Sequence, residues 1–230
     1  MKVAIMQPYL FPYIGYWQLI QAVDTFVIYD DVNYIKRGWI NRNFILENGC
    51  KKLFTLETHG ASQNRFINQV SVGKNGENLI KTLTQNYRKA PYFKPVIQIL
   101  SDLFHSDEKN LARFIISTIR SICSYLMIDT QLIISSEVFD NTSLKGADRI
   151  INICRQLGAD VYVNAIGGKR LYNKSEFSDE GFQLYFIVSN PIVYAQFANG
   201  QFVSNLSIID VMMFNSPERI QRFLQSYNLA

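Results

Sequence analysis

The hydrophobic pattern along the chain opens with a short, almost unbroken apolar run, Val3 to Met6. The run stops at Gln7-Pro8, crosses an aromatic stretch containing Pro12, and resumes after Gly15 at helical spacing. An apolar run closed by proline predicts a buried strand, and the spacing after it predicts a helix. Thr25 to Tyr29 (TFVIY) is a second buried-strand run, so the first thirty residues predict a βαβ unit with parallel strands. Trp39 to Leu46 and Lys52 to Leu56 predict two further strands, joined by a turn at Glu47-Asn48-Gly49. Gly60 to Gly76 is polar and irregular. Helical spacing then governs Glu77 to Arg88, Pro95 to Phe104 beyond the break at Pro91, and Asn110 to Leu126. In the last of these Leu111, Phe114, Ile115, Ile119 and Ile122 form one stripe. The α/β rhythm returns with a strand at Thr130 to Ser135 and a helix at Lys145 to Leu157, capped by Gly158. Strands follow at Asp160 to Asn164 and Gln183 to Val188. Ser207 to Ser226 predicts two helices, parted near Asn215-Ser216-Pro217.

This order predicts an α/β fold: a Rossmann-like, mostly parallel sheet with a helical middle segment. The expected organisation is a single α/β domain over residues 1–230, with a helical insertion or subdomain around 77–127. The 230 residues suffice for one sizeable core, and no repeat or low-complexity linker divides them.

Composition narrows the chemistry. At 48% hydrophobic residues the chain is not a disordered segment. The net charge of +4 suits a small anionic ligand such as a nucleotide, and no Lys/Arg run exceeds two residues, which argues against nucleic acid. The three cysteines are scattered, with no CxxC pair, so neither zinc nor a disulfide framework is expected; Cys123 and Cys154 fall in apolar helical patterns as core thiols. His59 and His105 lie in no metal-binding pattern. With no secretory signal and no apolar run long enough to span a membrane, the expected location is the cytoplasm.

Three clusters carry candidate chemistry, each just after a predicted parallel strand, where α/β folds place their ligands. The first is Gln7, Tyr13, Gly15 and Tyr16: a side-chain amide at a strand end, then a glycine where a phosphate could approach a helix start. Packing accounts equally well for the two tyrosines. The second comprises Asp30, Asp31, Tyr34, Lys36, Arg37, Trp39, Asn41 and Arg42. Its cations suit phosphate or a developing negative charge, and its carboxylates suit an amine or Mg2+ held through water. The third is Asn164, Gly167, Gly168, Lys169, Tyr172 and Lys174, a strand running into Gly-Gly-Lys without the spacing of a P-loop.

The segments QPYLFPYIGYWQLI, DDVNYIKRGWINRN, NAIGGKRLY and LSIID together resemble the WbqC-like proteins of bacterial O-antigen and other surface-polysaccharide clusters, over Met1 to about Met213. Many of those proteins carry His where this chain has Met6. The Tyr13-Ile14-Gly15-Tyr16 region is also similar to the HxGH region of nucleotidylyltransferases and pantothenate-synthetase-like ligases, with tyrosine in place of both histidines. The resemblance implies a role in making or decorating a nucleotide-linked sugar; from this we expect a transferase or ATP-dependent ligase acting on a nucleotide-linked amino sugar, with aminoacyl or acyl transfer, glycyl among them, to the sugar amine. ATP with Mg2+, or an acyl thioester, would supply the activated group, and no tightly bound cofactor is expected. Asp30, Asp31, Lys36 and Lys169 would be the catalytic groups, and Gln7, Arg37, Arg42 and Asn164 would help bind the substrate. Nucleotidyl transfer to a sugar phosphate, and a non-catalytic sugar-nucleotide-binding or scaffold role, stand as alternatives. The expected partners are the amino-sugar nucleotide and a small amino-acid or acyl donor, with oligomerisation left open.

Overall fold

In β1 (Lys2–Met6) the two faces of the strand enter different apolar clusters: Ala4 joins one, Val3 and Ile5 the other. A strand buried on both faces needs helices on both sides, and the rest of the chain supplies them. The computed structural model describes residues 1–197 and 201–230. After β1 come α1 (Ile14–Gln21), β2 (Thr25–Ile28), β3 (Arg42–Glu47), β4 (Cys50–Thr55), β5 (Thr58–His59) and β6 (Ser71–Val72). Three helices follow, α2 (Gly76–Tyr87), α3 (Phe93–Phe104) and α4 (Leu111–Tyr125). The chain then runs through β7 (Gln131–Ile134), α5 (Ser135–Val138), α6 (Gly146–Leu157), β8 (Val161–Ala165), α7 (Lys174–Asp179) and β9 (Gln183–Ser189). It ends with α8 (Ile208–Phe214), α9 (Pro217–Leu224) and β10 (Tyr227–Leu229).

The central sheet has the order β10-β9-β8-β1-β2-β7. Every pairing in it is parallel except the edge strand β10 on β9. From β1 the chain adds β2 and β7 on one side, then returns to add β8 and β9 on the other. Strand order therefore reverses between β1 and β8, and in such sheets the crevice beyond their carboxyl ends takes the ligand. Apolar residues of α1, α4, α8 and α9 cover one face with Ala4, Phe26 and Val163. Those of α6 and α7 cover the other with Val3, Ile5 and Tyr162. The middle helices share the core of the first face: Leu83, Leu100 and Ile115 are fully buried in it. Among the described residues no helix is long and apolar enough to cross a membrane.

Most predicted elements form where the pattern places them. The β3–β4 turn passes through Asn48 and Gly49 at φ of 50° and 76°, the left-handed pair of a type I′ hairpin. Gly158 caps α6 at φ 67°, and Asn110 caps α4 by accepting the Arg113 N–H. Cys123 and Cys154 are buried, and burial pushes both thiols up to about 12. Two differences have clear causes. The strand expected from Trp39 starts only at Arg42, because the Arg42 guanidinium bonds back to the carbonyls of Gly38 and Arg37 and curls that segment into a loop. β10 was not expected; a three-residue strand with polar neighbours carries no periodic signal, and the free edge of β9 recruits it.

Two buried polar knots tie these layers. Asp31 pairs with Arg149 of α6 at 2.5 Å, both nearly sealed from solvent. Arg149 also donates to the Asp31 carbonyl and to Asn141 Oδ1, and its guanidinium lies 4.6 Å from the Tyr29 ring centroid. Asp210 of α8 accepts from Tyr87 Oη (2.9 Å), Tyr194 Oη (2.6 Å) and Gln196 Nε2 (2.8 Å). Tyr87 meanwhile accepts the Leu46 N–H at 2.8 Å, joining α2, α8 and β3.

Breaking either knot has a measurable cost. Arg149→Met leaves the Asp31 charge buried without its partner and should cost about 3–5 kcal/mol in denaturant unfolding, with Asp31→Asn/Arg149→Met costing less than the single change. An additive double mutant would contradict this coupling. Burial pushes the Asp210 carboxyl above its ordinary value, opposed by its three donors. Its contribution to folding is therefore greatest in acid, below the ordinary value, and fades as pH rises through the raised one. Tyr87→Phe removes a donor that favours the charged carboxylate and orphans the Leu46 N–H. The expected loss is about 1–3 kcal/mol, larger at neutral pH than near pH 4; thermal melts at the two pH values measure it, and an equal loss at both would refute the link to Asp210.

Candidate functional site

At the switch point a cavity of about 510 Å³ opens beside Met6 and Ala165, the last residues of β1 and β8. Its other walls come from three places. The β1–α1 segment gives Tyr9, Pro12, Tyr13, Gly15 and Tyr16; the hairpin region gives Trp39, Asn43, Phe44 and Lys51; the segment before α8 gives Asn205. The surface is chiefly aromatic and aliphatic, with Trp39 edge-on to Phe44 at 5.7 Å and Tyr9 tilted against Tyr16 at 5.8 Å.

The loop from Gln7 to Tyr13 is held in place by its own carbonyls. Asn43 Nδ2 donates to the Phe11 carbonyl at 2.9 Å and to that of Leu10 at 3.2 Å, while Ser207 Oγ donates to the Phe11 carbonyl at 2.7 Å. The Pro12 carbonyl accepts from the Ile208 N–H and from Trp17 Nε1, each at 3.0 Å. These bonds hold Phe11 at φ 42°, a left-handed conformation costing a bulky residue about 1–2 kcal/mol. The Phe11 ring is fully buried between Phe54 and Phe104, so the middle helices brace the loop from beneath.

The first sequence cluster divides around this cavity. Gln7 is not on its wall; its side-chain oxygen lies 3.5 Å from Tyr9 Oη and its carbonyl accepts from Tyr16 Oη at 3.0 Å. Burial raises the Tyr9 phenol and carries that of Tyr16 well above the ordinary value, so both remain protonated donors at neutral pH. Gly15 lies in close contact with two side chains. A Cβ there would collide with the Tyr13 phenol and lie 2.7 Å from Ser189 Oγ. α1 starts without a side-chain cap, and Tyr13, 41% exposed, stands over that start.

The second cluster is largely framework. The Asp30 carboxylate accepts from Ser136 N–H (3.0 Å), Ser136 Oγ (2.6 Å) and Asn68 Nδ2 (3.3 Å), and Asp31 is committed to Arg149. Neither lines the cavity. Tyr34 is buried and donates to Asn41 Oδ1 at 2.7 Å, and Asn41 donates to the Leu56 carbonyl. Arg42 staples its own loop, as described above. Lys36 and Arg37 are exposed, Arg37 at φ 60°.

The third cluster falls on the other face of the sheet. Ala165 shares its face with Val163 and Met6, whereas Asn164, one residue earlier, shares the face of Tyr162. Asn164 is buried, accepts the Ala165 N–H at 2.7 Å and crowds Gly168, where a Cβ would lie 2.6 Å from Asn164 Nδ2. Gly167 meets no such restriction. Lys169, Tyr172 and Lys174 line a separate shallow cavity; Tyr172 packs edge-on against Tyr162 and Phe177, and the Lys174 ammonium lies 5.5 Å from the Tyr185 ring centroid. So the three loops gather at one sheet edge, but Gln7, Arg42 and Asn164 do not share the cavity that the loops enclose.

Lys51 is the one charged side chain among the described lining residues, and no carboxylate or imidazole accompanies it. Among the described residues no group of three or more His, Cys, Asp or Glu is placed to hold a metal ion. The wall can therefore stack a ring, offer the Tyr13 phenol and the Asn205 amide, and attract an anion. Asn43, Phe44, Lys51 and Asn205 were missed from the sequence, because the hairpin that carries the first three reads as an ordinary surface ribbon. The alternation of Asn43 with Arg42 and Phe44 was the available signal of an inward amide.

Comparison with known proteins agrees with the motifs. No solved structure gives a significant match. The uncharacterized protein Rv1507c of Mycobacterium tuberculosis is 30% identical over 93% of each chain. The WbqC-like protein family matches residues 7–222, from the loop after β1 into α9. This chain belongs to the WbqC-like protein family.

Proposed function

We propose that the protein binds a nucleotide-linked amino sugar at the switch-point cavity and transfers an acyl or aminoacyl group to its amine, in the making of a surface polysaccharide. The observation that carries this reading is the cavity itself: aromatic walls at the reversal of a parallel sheet, beside an uncapped helix start and Lys51. The base or sugar ring stacks on Trp39 and Phe44. The phosphates meet Lys51 and, once the Tyr13 side chain swings aside, the N–H groups that begin α1.

In this reaction the sugar nitrogen attacks the acyl carbonyl. The C–N bond forms, the bond to the leaving group breaks, and the departing group takes the proton from nitrogen. The described lining residues include no carboxylate to hold Mg2+ beside a triphosphate, which favours a donor that arrives already activated, a thioester, over ATP. The catalytic roles considered for Asp30 and Asp31 are less favoured by their existing bonds, and Lys36 and Lys169 stand away from the cavity wall. A second reading, a non-catalytic binder of sugar nucleotides, draws on the same observation, since the wall offers no ordinary general base.

Calorimetry with UDP and dTDP tests the binding step. Lys51→Ala should weaken diphosphate binding by about 1.5–3 kcal/mol, roughly tenfold or more, with circular dichroism unchanged. Equal affinity in the variant would place the phosphates elsewhere. Mass spectrometry of incubations containing an amino-sugar nucleotide, glycine with ATP, or an acyl thioester should show the amide only with a competent donor. Release of thiol identifies the thioester and release of AMP or ADP identifies ATP; binding without product from either donor would select the non-catalytic reading.

A further inference from the structure

Beside the switch-point cavity lies a second one of about 370 Å³, between the carboxyl end of β9 and the segment before α8. Its polar groups are hydroxyls and amides, from Ser189, Asn190, Ser204 and Asn205, and its described lining residues include no charged side chain. Phe202 and Tyr194, edge-on at 5.0 Å, give it an aromatic wall. A polyhydroxylated ring presents this same mixture: hydroxyls around its edge and C–H groups on its faces. The two cavities meet at shared residues, Tyr13 and Asn205. At that boundary the Tyr13 phenol and Ser189 Oγ crowd the missing Cβ of Gly15, at the start of α1.

We propose that the two cavities form one bipartite site, in which the second cavity binds the sugar ring of a sugar nucleotide and Tyr13 divides it from the nucleoside cavity. This rests on the reading of the first cavity as the nucleotide site. The diphosphate then crosses the boundary at the start of α1, where the displaced Tyr13 phenol and Ser189 hydroxyl can donate to it. The nucleoside lies against Trp39 and Phe44, and the sugar meets Asn190 and Ser204. The glycine at position 15 is the residue that lets the phenol sit in this boundary.

Calorimetry on the full chain separates the two halves. The probes are UDP and dTDP, each compared with its glucose and N-acetylglucosamine conjugates. At least one conjugate should bind about tenfold tighter than its parent diphosphate, the effect of one or two added hydrogen bonds. Ser204 is exposed, so Ser204→Trp can fill the second cavity without disturbing the core. In that variant the conjugate should lose its tenfold advantage or bind worse than the diphosphate, while the diphosphate keeps its affinity within about twofold. Ser189→Ala should weaken the diphosphates and their conjugates alike and leave the advantage in place; a loss confined to the conjugates would overturn the path of the diphosphate past Ser189. If diphosphates bind but the advantage is absent in the wild type, or survives in Ser204→Trp, the second cavity is not the sugar subsite and the nucleotide reading stands. If the wild type binds neither UDP nor dTDP, that reading falls and this inference with it.

Discussion

The carbonyl of Phe11 is the point from which the site is organised. It accepts from Asn43 of the hairpin and from Ser207 at the start of α8, and so fixes a loop whose left-handed residue would otherwise relax. Three segments far apart in sequence meet on that one atom, and each belongs to a different one of the motifs that carry the family resemblance. Because a buried carbonyl or amide left without a partner is costly, the three must be placed together. The aromatic contacts of the Phe11 ring with Phe54 and Phe104 extend the constraint into the helical middle of the chain. The loop thereby gains a rigid position above the reversal of the sheet, and the cavity acquires its shape from the same bonds.

The carboxylates that look most reactive in the sequence are tied into the scaffold. Asp30 holds α5 and the segment around Asn68 through its three donors, and Asp31 neutralises Arg149 between the sheet and α6. Asp210 does the same for α2, β3 and the segment around Tyr194. A charge taken out of water has to be matched; Arg149 does this for Asp31, and hydrogen-bond donors do it for Asp30 and Asp210. What is left for a ligand among the described residues of the cavity wall is a surface of rings, phenols, amides and a single lysine.

The distribution of side chains across the sheet decides which residues can cooperate. Met6 and Ala165 open on the α1 side, and the boundary between the two neighbouring cavities is set by Tyr13, Gly15 and Ser189. Asn164 differs from Ala165 by one residue and points to the other side, into contact with Gly168. A single step along a strand thus separates a cavity residue from a structural one.

The sequence by itself determined the α/β class, the parallel strands β1, β2, β7, β8 and β9, the hairpin with its Asn-Gly turn, and the long helices. These depend on local apolar period, turn residues and caps, which are written in consecutive positions. It also located the sheet edge that bears the cavity, since strand-to-loop junctions are visible as breaks in the pattern at Gln7, Asp30 and Asn164. The tertiary structure alone decided which side chains face the cavity. Tyr34, Asn41, Arg42, Asp30 and Asp31 carry the chemistry of a site in any listing of residue types, yet each is bound to a partner that its own neighbourhood in the sequence does not name or does not orient. Conversely, Asn43 and Lys51 line the cavity because the β3–β4 ribbon folds over the loop after β1, and β10 forms because β9 has a free edge. Pairing across long sequence separations, and the alternation of faces within each strand, settle these matters only once the chain has closed on itself.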